Sequence, residues 1–575
     1  MTTYADTVLR GGTVLDLSGY TPGMRATPEW LASRPTAVAV KNDLVVALGE
    51  DAEALIGPDT QLIELDGSTV IPGLADTHLH YTGFAVTQFV YTKMGTDVFR
   101  DIADLPAYLT KDRIDASGWI RGHGSDPLVL GRNITAKDID AALDANGIAG
   151  TPVVLFDWSG HALTLNQVAL DLCGITKDTP EPVGGVIVRD AEGNPEGFLQ
   201  DAALVPVIET IPPVPAEQLR DAYAKAQAYL HGLGLTALTE PGMGPGHVAL
   251  LDGSPSPAAM EVLADFAASG DLSLRVSVMA LPVGTGGGNA AAVREHLSNG
   301  LHKTFERPGI DPHRLRIGAV KVFADGTPQN GTTWHKDPIH DMNEPGHRCG
   351  HMVLVGDSDD DKVEELKEII RAVESFDLQI GVHCIGDRTV ETVIDALAEI
   401  IPNDPKRPYL IHTTELYPQG AEKAGSYGIS LNFNPTIIST FIRHMPEEYR
   451  RRCEPLGLAL RAGANIGITS DAPVVHPDWR PAFVYAVTRS HCWEGEVPAD
   501  DLRYAGITTL DALAAMTSRA ASRERDESWR GTLAVGQKAD LAVLEGGWPD
   551  NAEVETLLDR AILLTMVDGR VVHRA

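Results

Sequence analysis

Two histidines one residue apart, His78 and His80, close an apolar β-rich run, Val70-Ile-Pro-Gly-Leu-Ala-Asp-Thr-His-Leu-His80. Side chains alternate faces along a strand, so residues two apart point the same way. The spacing therefore places both imidazoles on one side of one strand, at a separation that suits a single divalent cation. Imidazole ligates when neutral, and a pKa near neutrality makes it a common ligand for zinc-like ions. Four further candidates, Lys321, His383, His412 and Asp471, each follow or end a strand-like apolar run.

The elements that must position these residues follow from the pattern of the chain. Its middle alternates apolar strand-like runs with segments of helical period, the pattern of βα units and a parallel sheet. In Asp361 to Phe376, Val363, Leu366, Ile369, Ile370 and Val373 share one helical face. A second helix follows Gln379-Ile-Gly-Val-His383, with Pro402 just beyond its end. Candidate strands end near His80, Glu240, Leu281, Lys321, His383, His412, Asn434 and Asp471. This is the arithmetic of a (β/α)₈ barrel within residues 67–527, whose active sites sit at the C-terminal ends of the strands. The stretch from His80 to the next strand is too long for one helix and loop, so residues 85–215 read as an insertion packed over the barrel mouth. Short β-like pieces separated by Gly, Asp and Pro fill both chain ends. Residues 1–66 and 528–575 together predict one composite β-sandwich.

Composition narrows the function classes. The 575 residues are 43% hydrophobic and 22% charged, as expected of a soluble globular chain with a large core. The formal charge of −32 disfavours nucleic acid and anionic membrane surfaces as partners. No signal peptide or membrane span is read, and five scattered cysteines without a Cys-x-x-Cys pair fit a reducing, cytoplasmic setting.

The chain resembles the amidohydrolase superfamily, in the family 3 branch that includes N-substituted formamide deformylases. The resemblance runs from Asp6 to about Arg570 and is carried by six pieces in order: VIPGLADTHLH, VKVFADGT, GVHCIGDRTV, LIHTTEL, GITSDAPV and GTLAVGQKADLAVL. It implies that His78, His80, His383, His412 and Asp471 bind one or two divalent ions. Zinc is the default from so nitrogen-rich a set, although manganese, iron or nickel suit similar sites. In relatives a lysine at the position of Lys321 bridges two metals as a carbamate, formed when a neutral amine adds carbon dioxide. The residues also allow an ordinary lysine paired with Asp325 beside a single metal.

The implied reaction is metal-assisted hydrolysis of an amide, with Asp471 as general base and then acid. A segment of the form Gly-His-x₄-Asn makes His161 a candidate for holding the carbonyl oxygen, with a capping or turn role as the alternative. In Arg121-Gly-His-Gly-Ser-Asp126, Ser125 stands where the family commonly has tryptophan, and His123 is a candidate for part of that role. Tyr81, Phe84, Phe156, Trp158, Phe323, Trp334 and Phe433 are expected around the pocket, with Trp158, Trp334 and Phe323 as substrate contacts, which suits a small apolar amide.

The rival readings are a deaminating aminohydrolase, a cyclic-amide or ester hydrolase, and a non-catalytic scaffold of the same fold. His383-Cys-Ile-Gly386 lacks the His-x-x-Glu pattern of the deaminases, which disfavours the first. The resemblance also suggests a homodimer.

Overall fold

The computed structural model describes residues 4–160, 162–182, 185–249, 252–328, 332–337, 339–340 and 347–575. Its largest sheet has the eight anticipated strands. They are β1 (Leu74–Asp76), β2 (Leu235–Met243), β3 (Arg275–Ala280), β4 (Leu315–Phe323), β5 (Gln379–Cys384), β6 (Tyr409–His412), β7 (Ser430–Phe433) and β8 (Ile466–Ile468). Each pairs in parallel with its neighbour in chain order. Strands buried on both faces read as unbroken apolar runs, and those runs are the sequence signal.

Segments beyond β1 and β8 close the seam. His80 N donates to Ala472 O at 2.8 Å, and Asp471 N donates to His78 O at 2.8 Å. The barrel is therefore tied shut by the same residues that carry its candidate chemistry.

The helices behave as their patterning requires. The helix at Asp359–Glu374 opens on a reciprocal cap between Ser358 and Asp361 and buries Leu366, Ile369, Ile370 and Val373. The helix at Asp387–Ile400 buries Val390, Val393, Ile394 and Leu397.

The chain ends form two sheets. Thr7–Arg10, Ala37–Lys41, Leu44–Leu48 and Gln61–Glu64 make a four-stranded one. The second joins Thr13–Val14 and Thr69–Pro72 to Leu541–Leu544, Ile562–Val567 and Arg570–Arg574. Leu9, Val38, Val40 and Val45 pack against Val70, Leu541, Val543 and Leu564 to form the sandwich core.

Thr69–Pro72 thus belongs to a terminal sheet although β1 begins two residues later. The chain changes sheets at Gly73, where a Cβ would meet Thr236 Oγ1 at 2.3 Å. Only glycine permits that approach.

Between β1 and β2 lies a six-stranded sheet ordered Gly185–Arg189, Pro195–Asp201, Ala162–Leu165, Val153–Asp157, Ile120–Ser125 and Thr92–Lys93. Trp158 beside this sheet and Leu204 in the short helices after it line one cavity with Lys321 and His383 of the barrel strands. Among the described residues, no helix is long and apolar enough to cross a membrane.

Candidate metal centre

His78 and His80 lie just past β1, which ends at Asp76, and His80 caps the helix Tyr81–Phe89. The expectation that both sit on one strand is corrected: strand alternation does not aim them. Cross-bonding does. The buried carboxylate of Asp76 accepts from His78 N at 3.1 Å, Thr469 Oγ1 at 2.7 Å and Ser470 Oγ at 2.6 Å. Thr469 Oγ1 also lies 2.5 Å from His78 O, so its one proton is shared between that oxygen and the Asp76 carboxylate.

The two loops so joined bring His78 Nε2 to 3.1 Å and His80 Nε2 to 3.3 Å from one oxygen, Asp471 Oδ1. Ligand atoms of His78, His80 and Asp471 all lie within 4.8 Å of one another, and all three residues are buried. Asp471 holds φ at +61°, in the left-handed region that non-glycine residues rarely occupy. Such strain is maintained only where the surroundings enforce it.

The other imidazoles complete an arc. The His78 and His412 ring centroids are 5.2 Å apart, and those of His412 and His383 are 4.6 Å apart. His412 also has positive φ, +73°. Its Nδ1–H donates to Asn434 Oδ1 at 3.0 Å, which leaves the Nε2 lone pair free. His383 Nε2–H donates to Gly326 O at 3.1 Å and leaves Nδ1 free. Burial pushes His412 down to about 4 and His78 and His383 well below the usual histidine range. Neutral imidazoles are the ligating form. Burial raises the Asp471 carboxyl, but the facing imidazoles more than offset this and keep it ionised well below its usual range.

Lys321 is 1% exposed, with Nζ 4.5 Å from the Phe323 ring centroid. Burial pushes its ammonium down to about 7. Pairing with Asp325 is not observed. That carboxylate accepts from Trp334 N, Ile385 N, Gly386 N and Thr389 Oγ1, and it pins the loop after β4 to the loop after β5.

A divalent ion fits this donor set. The Oδ1 of Asp471, on which the two Nε2 atoms converge, is buried and makes no hydrogen bond among the described residues. Unsatisfied buried polar atoms are costly, so such a group calls for a partner.

The cluster opens into a cavity of about 620 Å³. Phe323 and Trp158 line it, as expected, together with Leu204, Ile385, Ile437 and Phe441. Trp334 does not. It is a core residue, with the Arg388 guanidinium 4.0 Å above its ring. Tyr81, Phe84, Phe156 and Phe433 are likewise buried in the core rather than placed around this cavity. His123 faces a second cavity instead. His161 lies outside the described residues.

Sequence reasoning missed Glu240 and Asn434 as members of the site. Glu240 Oε1 stands 3.8 Å from His80 Nδ1, and both atoms lack a hydrogen-bond partner. The signal is present in the sequence: both residues end candidate barrel strands, where functional side chains collect.

The chain is similar to known proteins along most of its length. The family model described as the amidohydrolase family matches residues 61–573. The protein YtcJ of Bacillus subtilis (strain 168) is 26% identical over 94% of this chain and 96% of its own length. The N-substituted formamide deformylase of Arthrobacter pascens is 26% identical over 93% of this chain and 94% of its own. Among solved structures, an uncharacterized metal-dependent hydrolase from Pyrococcus horikoshii OT3 superposes with a TM-score of 0.70 at 20% identity, covering 94% of this chain and 97% of that one.

Proposed function

Because this chain belongs to the amidohydrolase family and is a metal-dependent hydrolase of that type acting on carbon–nitrogen bonds, we propose that it cleaves the N-acyl or N-formyl amide of a small, mainly apolar molecule. The observation that carries this reading is the convergence of His78 Nε2 and His80 Nε2 on Asp471 Oδ1 beneath an apolar cavity. His78, His80, His383, His412 and Asp471 would hold one or two divalent ions, zinc by default for so nitrogen-rich a set. When bound, the ion supplies acidity to water and polarises the carbonyl under attack.

The chain's own groups supply the rest. Asp471, ionised and fixed by the β1–β8 cross-bonds, takes a proton from the attacking water and passes it to the leaving nitrogen. The Asn434 carbonyl holds the His412 ring in one tautomer and orientation. Leu204, Ile385, Ile437 and Phe441 keep bulk water from the reacting bond and favour an apolar acyl group.

Lys321 near neutrality can add carbon dioxide through its amine and lose a proton, giving an anionic carbamate with two oxygens. Its deep burial beside Phe323, without a carboxylate partner among the described residues, supports that form over a conventional ammonium. A carbamate carbon signal in the carbon-13 NMR spectrum of the folded holoenzyme supplied with carbon-13 bicarbonate would read the carbamate directly.

The substrate class is tested with a panel of N-formyl, N-acetyl and aryl amides, with esters and lactones alongside and metal content measured on the same sample. Turnover of an apolar formamide or acylamide is expected. Hydrolysis confined to esters, or ammonia release from purines, would overturn the assignment.

A further inference from the structure

The loop at residues 77–80, which carries His78 and His80, is stitched on both flanks. Towards β8 it is held by Asp76, Thr469 and Ser470. Towards β2, Leu79 N donates to Thr239 O at 3.0 Å, and Thr82 N donates to Glu240 Oε2 at 2.9 Å. Glu240 is fully buried, and that bond fixes its carboxylate beside the first turn of the helix Tyr81–Phe89, which His80 caps.

The other carboxylate oxygen is unspent. Glu240 Oε1 faces His80 Nδ1 at 3.8 Å, and neither buried atom has a hydrogen bond among the described residues. The separation exceeds a hydrogen bond of about 2.7–3.2 Å, so the pair is poised rather than closed. Its chemistry is complementary. A neutral imidazole has one N–H and one lone pair, and a carboxylate accepts. When Nε2 gives its lone pair to a cation, the one proton is on Nδ1, opposite Glu240. That Nε2 is the atom 3.3 Å from Asp471 Oδ1. The opposite tautomer sets a lone pair against the carboxylate and a proton where the cation belongs.

Neither the ligand set nor the cavity uses this oxygen. Among the described residues the ligand atoms that lie within 4.8 Å of one another belong to His78, His80 and Asp471, not to Glu240. Glu240 is also not among the residues lining the metal-site cavity. His412 shows the finished form of such a contact, with Nδ1–H on Asn434 Oδ1 at 3.0 Å.

We propose that Glu240 is a positioning residue for the metal centre, its Oε1 accepting from His80 Nδ1–H when a divalent ion is held on Nε2. The proposal rests on the metal-site reading above. A carboxylate behind a ligating imidazole fixes its tautomer and ring orientation and makes the far nitrogen a better ligand. Glu240 therefore acts on metal affinity through His80.

A double-mutant cycle on zinc affinity tests this without relying on turnover. Zinc chloride is titrated, in competition with the chelator 4-(2-pyridylazo)resorcinol, into metal-free wild type, Glu240→Gln, His80→Ala and the double variant. Glutamine keeps the side chain's size and an oxygen for Thr82 N while removing the charge. Zinc affinity is expected to fall about 10–100-fold in Glu240→Gln, but by less than about threefold when the same change is made in His80→Ala. Equal losses in the two backgrounds mark a helix cap or a distant charge and overturn the proposal, as does undiminished affinity in Glu240→Gln. If Glu240→Gln does not fold, Glu240→Met carries the same cycle, in which the lost Thr82 bond is common to both backgrounds and cancels. If His80→Ala holds zinc too weakly to titrate, nitrogen-15 histidine NMR of the zinc-loaded protein decides. A His80 Nδ1–H signal that shifts in the Glu240 variant supports the proposal, and an unmoved one overturns it. Zinc bound by wild type with equal losses overturns the role of Glu240 and leaves the metal site standing. A wild type that takes up no zinc overturns both.

Discussion

The two ends of the barrel bury charge in opposite ways. At the foot, where β3 begins, Arg275 grips Asp540 at 2.6 and 2.9 Å and Asp568 at 2.6 Å, so the barrel is bolted to the terminal sheet through charge-assisted bonds. Arg316 and Arg530 both bond Asp526 nearby, at 2.8 and 2.9 Å. At the rim, Lys321 is buried without a carboxylate partner among the described residues, and atoms of His78, His80, Glu240 and Asp471 lack hydrogen bonds. Low local dielectric strengthens a satisfied pair and penalises an unsatisfied group. The difference teaches where the molecule uses charge for cohesion and where it keeps charge for a ligand.

The sharpest way to break this contrast is one substitution at each end. Asp471→Asn should lower turnover about 10²–10⁴-fold, the range for a positioned proton carrier, while circular dichroism and the unfolding midpoint change little. Near-normal kcat in that variant would remove Asp471 from the reaction. Arg275→Leu should do the opposite. It strands Asp540, while Asp568 keeps Arg314 and Lys538, and it should cost about 3–5 kcal/mol in urea unfolding, with kcat per folded molecule unchanged. A loss of activity without a loss of stability there would erase the distinction between the ends.

A rim imidazole that is paired sharpens the comparison further. His335 Nδ1 lies 2.9 Å from Glu415 and 3.6 Å from Asp387, and its Nε2 meets Thr333 Oγ1 at 2.7 Å. Burial works against its charge, but the two carboxylates push its pKa up to about 9. A raised folded-state pKa means that its stabilisation is complete below the unfolded value of about 6.5 and is lost as pH rises through about 9. His335→Gln should therefore cost on the order of 3 kcal/mol below about pH 6.5, progressively less between about pH 6.5 and 9, and little above about pH 9. A difference from wild type that holds constant across that window would show that the pair carries no charge.

Much of this architecture is legible in the amino-acid sequence. The eight barrel strands are apolar on both faces, so their runs stand out, and polar residues mark their C-terminal ends from Glu240 to Asp471. What pattern cannot give is aim. His78 and His80 converge because Asp76, Thr469 and Ser470 stitch two loops together, contacts that link positions nearly 400 residues apart. Trp334 and Phe433 share the composition of pocket aromatics, yet they are core, since an aromatic ring fills a barrel as readily as it lines a cavity. The sheet change at Gly73 is invisible to pattern because Val70-Ile-Pro and Leu74-Ala read as one apolar run. The second cavity draws walls from Phe84 to Pro477 and has no local signature at all.

The central claim, that the rim's unsatisfied donors exist to hold a divalent ion, is tested most directly by elemental analysis. Wild type and the His78→Ala/His80→Ala variant would be loaded with zinc, dialysed and measured per chain, with circular dichroism confirming that both are folded. One or two ions per wild-type chain and a marked loss in the folded variant are predicted. Equal metal in both proteins, or none retained by wild type after loading, would contradict it.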